Sequence, residues 1–244
     1  MENVKKKTGY VSKAQVMQTA TPLLGVVFVF ALFTILTNGK ILSASNLEVI
    51  INQAFSVCLI GDGAIFVFAH GGFDFSVGSC LGVCSLLIAK LLLAGYSPIV
   101  ALLASMLFGA FSGLCVGAVS EYLGLVPFIA SLCFNYIWRG VLQMQLGVEN
   151  INIPVELCAA LNNWWLKLAV LLAVFIIGSF LYNRSRVGKY QMAIGGSTVV
   201  AWLSGVHSKY YVILSHVICG VCVGIAALFC VARSARISAD WQRI

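Results

Sequence analysis

Charged residues are scarce in this chain. Asp, Glu, Lys and Arg make up 9% of its 244 residues, whereas hydrophobic residues make up 61%. A soluble domain carries roughly 25% charged residues, so this composition excludes an ordinary soluble protein. It predicts an all-helical, polytopic membrane protein, because a helix satisfies its own backbone polar groups in lipid.

Two kinds of functional motif are also missing from the sequence. No Walker A pattern is present, so any ATP that drives this protein, together with its Mg²⁺, must bind another polypeptide. His, Asp and Glu residues do not cluster, which disfavours a membrane-embedded enzyme. We therefore expect no catalytic residues, no metal site and no cofactor in this chain.

Nine cysteines are present, but no disulfide framework is expected. Most of them lie in or beside apolar runs, where thiols act as small hydrophobic side chains. Cys219 and Cys222 form a CxxC pattern, which could indicate redox chemistry or a metal site. Packing is the favoured interpretation, because the setting is apolar and no other ligand type clusters there.

Seven apolar runs are long enough to cross a bilayer, which takes about 17 residues or more per helix. They cover residues 20–36, 47–69, 77–94, 98–122, 128–146, 164–182 and 211–231. The first run lacks a small-residue cleavage site, so we expect a retained anchor and not a signal peptide. The domain division that follows is a cytoplasmic segment at 1–19, a membrane domain at 20–232 and a C-terminal remnant at 233–244.

Basic residues between the apolar runs predict the orientation. The N-terminal lysines place that end in the cytoplasm, and alternation puts residues 183–210 on the same side. That segment is basic, whereas 147–163 holds Glu149 and Glu156 and no Lys or Arg. Arg233 and Arg236 fall on the outer side and oppose this scheme. The net charge of +7 thus indicates contact with anionic lipid, and no nucleic-acid partner is expected.

The stretch from His70 to Ser79 interrupts two long apolar runs with paired glycines, an acid and small hydroxyls. One interpretation is a tight turn in which Asp74 caps the second helix. Another is a discontinuous helix that lines a transport pathway, because broken backbone survives in a bilayer only beside protein or water. The two interpretations are compatible.

Small residues recur every four positions in the fourth run, at Ser105, Gly109, Gly113 and Gly117. Such a stripe lets another helix approach closely. Gly220 and Gly224 repeat the spacing more weakly. Packing within the chain is the favoured interpretation, and dimerisation is the alternative.

Polar side chains inside the apolar runs are candidates for function. Asp62 lies between two glycines, and a carboxylate at mid-membrane must face protein or water. A satisfied polar group is favoured over a pathway residue or proton carrier. Asn135 and Arg139 lie one helical turn apart, and Arg139 could pair with an acid or extend toward the interface.

The basic segment at 183–210 contains a short candidate helix. Gly195 and Gly196, with Ser197 or Thr198 as N-cap, would open it, and Gly205 would close it at the C-cap position. Its apolar content exceeds what a solvated helix needs. It would therefore dock into a partner's groove or lie against the membrane.

Four ordered blocks, together spanning roughly residues 14–240, resemble the ribose- and xylose-type permeases of ABC transporters. Gly71–Ser79 is similar to the family's GGIDLSVGS signature, and residues 127–140 to its PFIVTLG…ARG stretch. Residues 186–196 resemble R-x-G-R-x-x-x-A-I-G-G-N, and 201–206 resemble AARLSGI. Ser197 and Trp202 depart from that pattern, and Asp62 stands where an uncharged residue is more usual.

The resemblance implies a sugar-type permease of a bacterial cytoplasmic membrane. It implies an ATP-binding cassette subunit, an extracytoplasmic solute-binding protein and a second permease copy or paralogue as partners. It assigns the coupling contact to residues 196–206, and the candidate coupling residues are Gly195, Gly196, Ala201, Leu203, Ser204 and Gly205. The broken helix and the buried acid predict the pathway residues independently of the resemblance, and these are Asp62, Gly71, Gly72, Asp74, Ser76 and Gly78.

Other functions remain open from the sequence. An ABC permease for a non-sugar solute is one, and an ion- or proton-coupled secondary transporter that uses Asp62 is another. The glycine-interrupted segment occurs once, although many transporters have two related halves. We therefore expect residues 1–244 to insert into the membrane but not to support uptake by themselves.

The charge asymmetry generates a test of orientation. In a variant without native cysteines, a thiol from Asn152→Cys should react with an impermeant reagent from outside the cell. A thiol from Thr198→Cys should react only after permeabilisation, because residues 183–210 are expected in the cytoplasm. The reverse labelling pattern would overturn the orientation and the coupling assignment with it.

Overall fold

The computed structural model describes residues 13–146, 151–152, 162–234 and 236–237. The chain divides into two compact units, residues 1–52 and 53–244. Several residues used above lie outside the described part, namely the lysines before position 13, Glu149, Glu156 and most of 233–244.

The first unit contains α1, Lys13–Leu36, and a short 3-10 helix, Lys40–Leu42. Asn38 and Gly39 both have positive φ, 50° and 78°. The amide of Gly39 donates to the carbonyl of Thr34 over 2.8 Å. This left-handed turn ends α1 and allows α2 to begin at Ala44.

The second unit is a helical bundle. Helix α2, Ala44–Ala69, runs into it and is followed by α3 (Val77–Leu93), α4 (Pro98–Leu123) and α5 (Pro127–Leu146). Next come α6 (Trp164–Asn183), α7 (Arg186–Gly196), α8 (Thr198–Leu203) and α9 (Ser208–Ser234). Two short strands, β1 (Ile151–Asn152) and β2 (Arg236–Ile237), pair antiparallel with Ile151 opposite Ile237.

Each predicted apolar run corresponds to one of these helices, with only Ala94 falling outside, as the C-cap of α3. This confirms the all-helical, polytopic architecture. Among the described residues, four helices are long and apolar enough to cross a membrane: α2, α4, α6 and α9. Residues 20–36 of α1 and all of α3 form shorter apolar helices. Helix α5 has 20 residues but is less apolar, because it carries Asn135, Arg139, Gln143 and Gln145.

The segment between α6 and α9 differs from the prediction. A helix, α7, occupies residues 186–196, and Gly195 and Gly196 therefore end a helix where one was expected to open. Ser197 is the C-cap of α7 and the N-cap of α8, and its hydroxyl accepts from the amide of Val200. The N-cap prediction is thus confirmed for Ser197, but α8 covers only residues 198–203. The amphipathic α7 was missed because its polar residues lower its mean hydropathy.

The end of α8 is a Schellman motif. Gly205, at φ 80°, donates to the carbonyl of Trp202, and Val206 donates to that of Ala201. The left-handed residue follows the C-cap, which is Ser204, one position earlier than predicted. Glycine suits this position because it has no Cβ to clash there.

Helices α4 and α9 form the centre of the second unit. The small-residue stripe faces α9, where Gly109 lies against the backbone of Gly220 and Gly113 against that of His216. The hydroxyl of Ser105 donates to the carbonyl of Gly224 over 2.9 Å. The structure therefore places the stripe against a helix of the same chain, with backbones in contact.

The close α4–α9 approach predicts a sharp response to one added methyl group. In Gly113→Ala, the new Cβ would overlap the carbonyl oxygen of His216. We expect this change to cost about 1–3 kcal/mol and to lower the thermal unfolding temperature in detergent.

Gly140→Ala is the matched control, because a Cβ there meets nothing within 4 Å. It should preserve or raise stability, since alanine favours a helix over glycine by up to about 1 kcal/mol. Equal unfolding temperatures for the two variants would contradict the backbone contact.

Candidate functional site

The glycine-rich stretch is an interruption between α2, which ends at Ala69, and α3, which begins at Val77. Residues 77–79 of the glycine-rich stretch are helical, in agreement with the apolar run predicted from residue 77. Gly71 has φ 84° and donates to the carbonyl of Phe68, while Gly72 donates to that of Val67. A Cβ on Gly72 would strike the His70 ring. The two glycines are therefore required for different reasons, the first for its φ angle and the second for space.

Asp74 holds the interruption together. One carboxylate oxygen, Oδ1, accepts from the amide of Ser76 over 2.9 Å and from its hydroxyl over 2.6 Å. The other, Oδ2, lies 3.1 Å from Nδ1 of His216 on α9. The His216 side chain is 0% exposed and that of Asp74 is 6% exposed. This is a turn-forming role for Asp74, as predicted, with a partner that the sequence did not indicate.

His70 and His216 share this buried polar cluster. Nε2 of His70 lies 2.8 Å from the hydroxyl of Ser215, and the two imidazole rings pack edge to face at 5.8 Å. The hydroxyl of Ser131 on α5 accepts from the amide of Phe75. Among the described residues, Nε2 of His216 has no hydrogen-bond partner. The cluster thus joins the interruption to α5 and α9.

The interruption packs against α7 and α9 on one side. His216 stands eight residues beyond the first residue of α9, Ser208, which is about 12 Å along a helix. Helix α7 packs against the end of α2, because Gly195 lies against the carbonyl of Ala69. On the other side of the interruption, Phe73 and Phe75 are exposed.

A cavity of about 430 Å³ opens between α2, α3, α5 and α9. The first turn of α3 forms part of its wall, at Gly78 and Ser79. Asn135 and Arg139 share one face of α5, at i and i+4. No described residue that lines the cavity is acidic. Its polar side chains are Gln53, Ser56, Ser79, Asn135, Arg139 and Arg233.

Helix α8 presents an apolar surface. Val199, Val200, Trp202 and Leu203 are 67%, 61%, 69% and 71% exposed. Ala201 is buried and packs with Ile194, Val206 and Val212. The helix is thus anchored on one side and open on the other, with an apolar face of the kind that marks a binding surface.

Residues 46–242 match the family described as branched-chain amino acid transport system / permease component. That match covers more than half of the chain. The chain belongs to this family.

Three of the curated relatives are named for sugars, and others are autoinducer 2 import system permease proteins. The D-allose transport system permease protein of Escherichia coli (strain K12) is 31% identical over 214 residues, which is 84% of this chain and 65% of that protein. The galactofuranose transporter permease protein of the same strain is 29% identical, over 75% of this chain and 55% of that protein. The ribose import permease protein is 24% identical, over 92% and 72%. The sugar-permease resemblance stated from the sequence is confirmed.

The chain spans less than two thirds of the length of the first two of these permeases. No solved structure matches it.

The residues expected to form one pathway lie in two places. Gly71, Gly72, Asp74 and Ser76 belong to the interruption, and Gly78 belongs to the cavity wall. Asp62 belongs to neither, because its carboxylate lies against the backbone of Gly178 on α6. Sequence reasoning missed His70, His216, Gln53 and Ser56. These four residues could have been found, because each is a polar residue inside or beside an apolar run. The same feature identified Asp62, Asn135 and Arg139.

The Asp74–His216 contact predicts non-additive effects on stability. Asp74→Ala and His216→Ala should each cost about 1–3 kcal/mol, because each leaves a buried polar partner unpaired. The double variant should cost less than the sum of the two, with a coupling of about 0.5–3 kcal/mol in thermal unfolding.

His207→Ala serves as the control for this cycle, since His207 is exposed and lies just before α9. It should leave the unfolding temperature unchanged and should add independently to Asp74→Ala. Strict additivity between Asp74→Ala and His216→Ala would show that the contact contributes nothing.

Proposed function

We propose that this chain is the membrane-spanning permease subunit of an ATP-driven importer for a small, polar, sugar-like solute. The observation that carries the proposal is the cavity between α2, α3, α5 and α9. Its size falls within the range of about 300–1,000 Å³ that suits small-molecule ligands. Its amides, hydroxyls and guanidinium groups suit a solute rich in oxygen. The family and the names of the relatives also support a permease for a sugar-like solute.

The cavity would form part of the translocation pathway. The interruption at residues 70–76 adjoins its wall, because α3 begins directly after it. In the orientation predicted from the charges, the interruption faces the cytoplasmic half of the membrane and Arg233 the outer half. A solute delivered by an extracytoplasmic binding protein would then enter from the Arg233 side.

Helix α8 would dock into the ATP-binding cassette subunit. A groove on a partner would remove its four exposed apolar side chains from water. Binding of an amphipathic helix in a groove is a common recognition mode. ATP and Mg²⁺ would bind to that partner. A second permease copy or a paralogue would complete the transporter.

A proton-coupled secondary transporter is the competing function. It would use Asp62, which is half-buried and has no hydrogen-bond donor among the described residues. The position of Asp62 favours the first proposal, because its carboxylate lies against α6 and does not line the cavity. Uptake into vesicles that depends on ATP and not on a proton gradient would support the ATP-driven importer over the proton-coupled transporter.

The docking role of α8 predicts that a charge on its exposed face blocks association. Leu203→Asp should bury a carboxylate against the apolar groove of the ATP-binding subunit, at a cost of several kcal/mol. Co-purification of the proposed ATP-binding subunit should drop at least tenfold, which is about 1.4 kcal/mol.

Met192→Asp on α7 is the matched control, because Met192 is also apolar and about half exposed but lies outside α8. It should retain the partner. Both variants should insert into the membrane at the wild-type level. Retention of the partner by Leu203→Asp would refute the docking role.

A further inference from the structure

Two positive charges and no negative charge line the cavity among the residues that the structure describes. Arg139 on α5 and Arg233 on α9 both line it. In the described part of the chain, neither guanidinium has an ion-pair partner, since the one ion pair found joins His216 and Asp74. The Nε–H group of Arg233 is buried and has no hydrogen-bond acceptor among the described residues. The carboxylate of Asp62 is turned toward α6.

The first turn of α3 also borders the cavity, at Gly78 and Ser79. A helix N-terminus carries about half a positive charge. The Asp74 carboxylate lies at this end of α3, where it accepts from the amide and the hydroxyl of Ser76. Its negative charge offsets the positive end of the helix, so the positive potential of the cavity comes from the two guanidinium groups.

Hydrogen-bond donors outnumber acceptors in this cavity. Each guanidinium has five N–H donors and no acceptor. The hydroxyl of Ser79 is engaged with the carbonyl of Ser76, and that of Ser56 is bonded to the thiol of Cys230. A neutral sugar would satisfy the amides of Gln53 and Asn135, but it would bring no negative charge to the two guanidinium groups.

We infer that the cavity binds an anionic group of the transported solute, namely the carboxylate of a sugar acid or the phosphate of a sugar phosphate. A planar guanidinium matches either oxyanion with paired N–H···O bonds. This inference rests on the proposed function and narrows its substrate class. It separates the chain from relatives named for allose, ribose and galactofuranose, which are uncharged sugars.

The sign of the cavity potential is measured with charged thiol reagents. The full chain without its native cysteines carries one thiol, either Asn135→Cys in the cavity or Val126→Cys on the exposed α4–α5 connection. The anionic sulfonatoethyl and the cationic trimethylammonium-ethyl methanethiosulfonates are compared at each site. The anionic-to-cationic rate ratio should be about tenfold or more higher at position 135, because a positive cleft concentrates anions.

Charge-changing variants assign this preference to the two arginines. Arg139→Gln and Arg233→Gln should each lower the ratio at position 135, and the pair should bring it near the control value. Arg139→Lys and Arg233→Lys keep the charge and should keep the preference. They also test the inference if a Gln variant does not fold. Equal ratios at positions 135 and 126 would overturn the inference.

Ligand protection then identifies the anion. The thiol at position 135 is modified by the uncharged methyl methanethiosulfonate in the presence of galacturonate, ribose 5-phosphate, galactose or ribose. Slower modification with galacturonate alone supports a carboxylate, and slower modification with ribose 5-phosphate alone supports a phosphate. Equal protection by the neutral sugars overturns the anion inference but leaves the proposed permease function intact. No protection by any of the four sugars overturns the inference, whereas the association test on α8 decides the permease function separately.

Discussion

The contact between the backbones of α4 and α9 is the constraint on which the rest of the second unit depends. Lipid tails are as apolar as leucine, so helices in a bilayer gain little from hydrophobic burial and associate by close packing. Gly109, Gly113 and Gly220 remove the side chains that would separate the two helices. Once α9 is fixed in this way, His216 lies beside the interruption, and Arg233, about four and a half turns further along, lies at the cavity.

Hydrogen bonds to two other helices stabilise the interruption. Backbone polar groups outside a helix are costly against lipid unless they find partners in the protein. Asp74 accepts a hydrogen bond from Ser76 at the start of α3 and contacts His216 on α9. The hydroxyl of Ser131 on α5 accepts a hydrogen bond from the amide of Phe75. A carboxylate at this depth is also costly by itself, and His216 provides its buried partner. The same contacts orient the first turn of α3 toward the cavity.

Much of the helical layout follows from the sequence, because a span must be long and apolar and a close helix pair needs small residues. The apolar runs, the glycine stripe and the N-cap Ser197 could all be predicted from such local rules. The Asp74–His216 contact could not, since the two residues are 142 positions apart and each is a lone polar residue among apolar ones. Helix α7 was not predicted, because neither its hydropathy nor its glycines distinguish it from a loop. The cavity depends on four helices at once, so only the packing reveals that Arg139 and Arg233 face one space.

The position of α7 connects the exposed surface of α8 with the interruption. Ser197 caps both helices, and Ile194, Ala201, Val206 and Val212 pack into one buried cluster with the start of α9. At the other side of that cluster, Gly195 lies directly against the carbonyl of Ala69, the last residue of α2. Well-packed interiors resist compression. The buried cluster and the contact at Gly195 thus form a continuous line of packed residues between α8 and the end of α2. The glycine at position 195 matters for the same reason, because any side chain there would push α7 away from the end of α2.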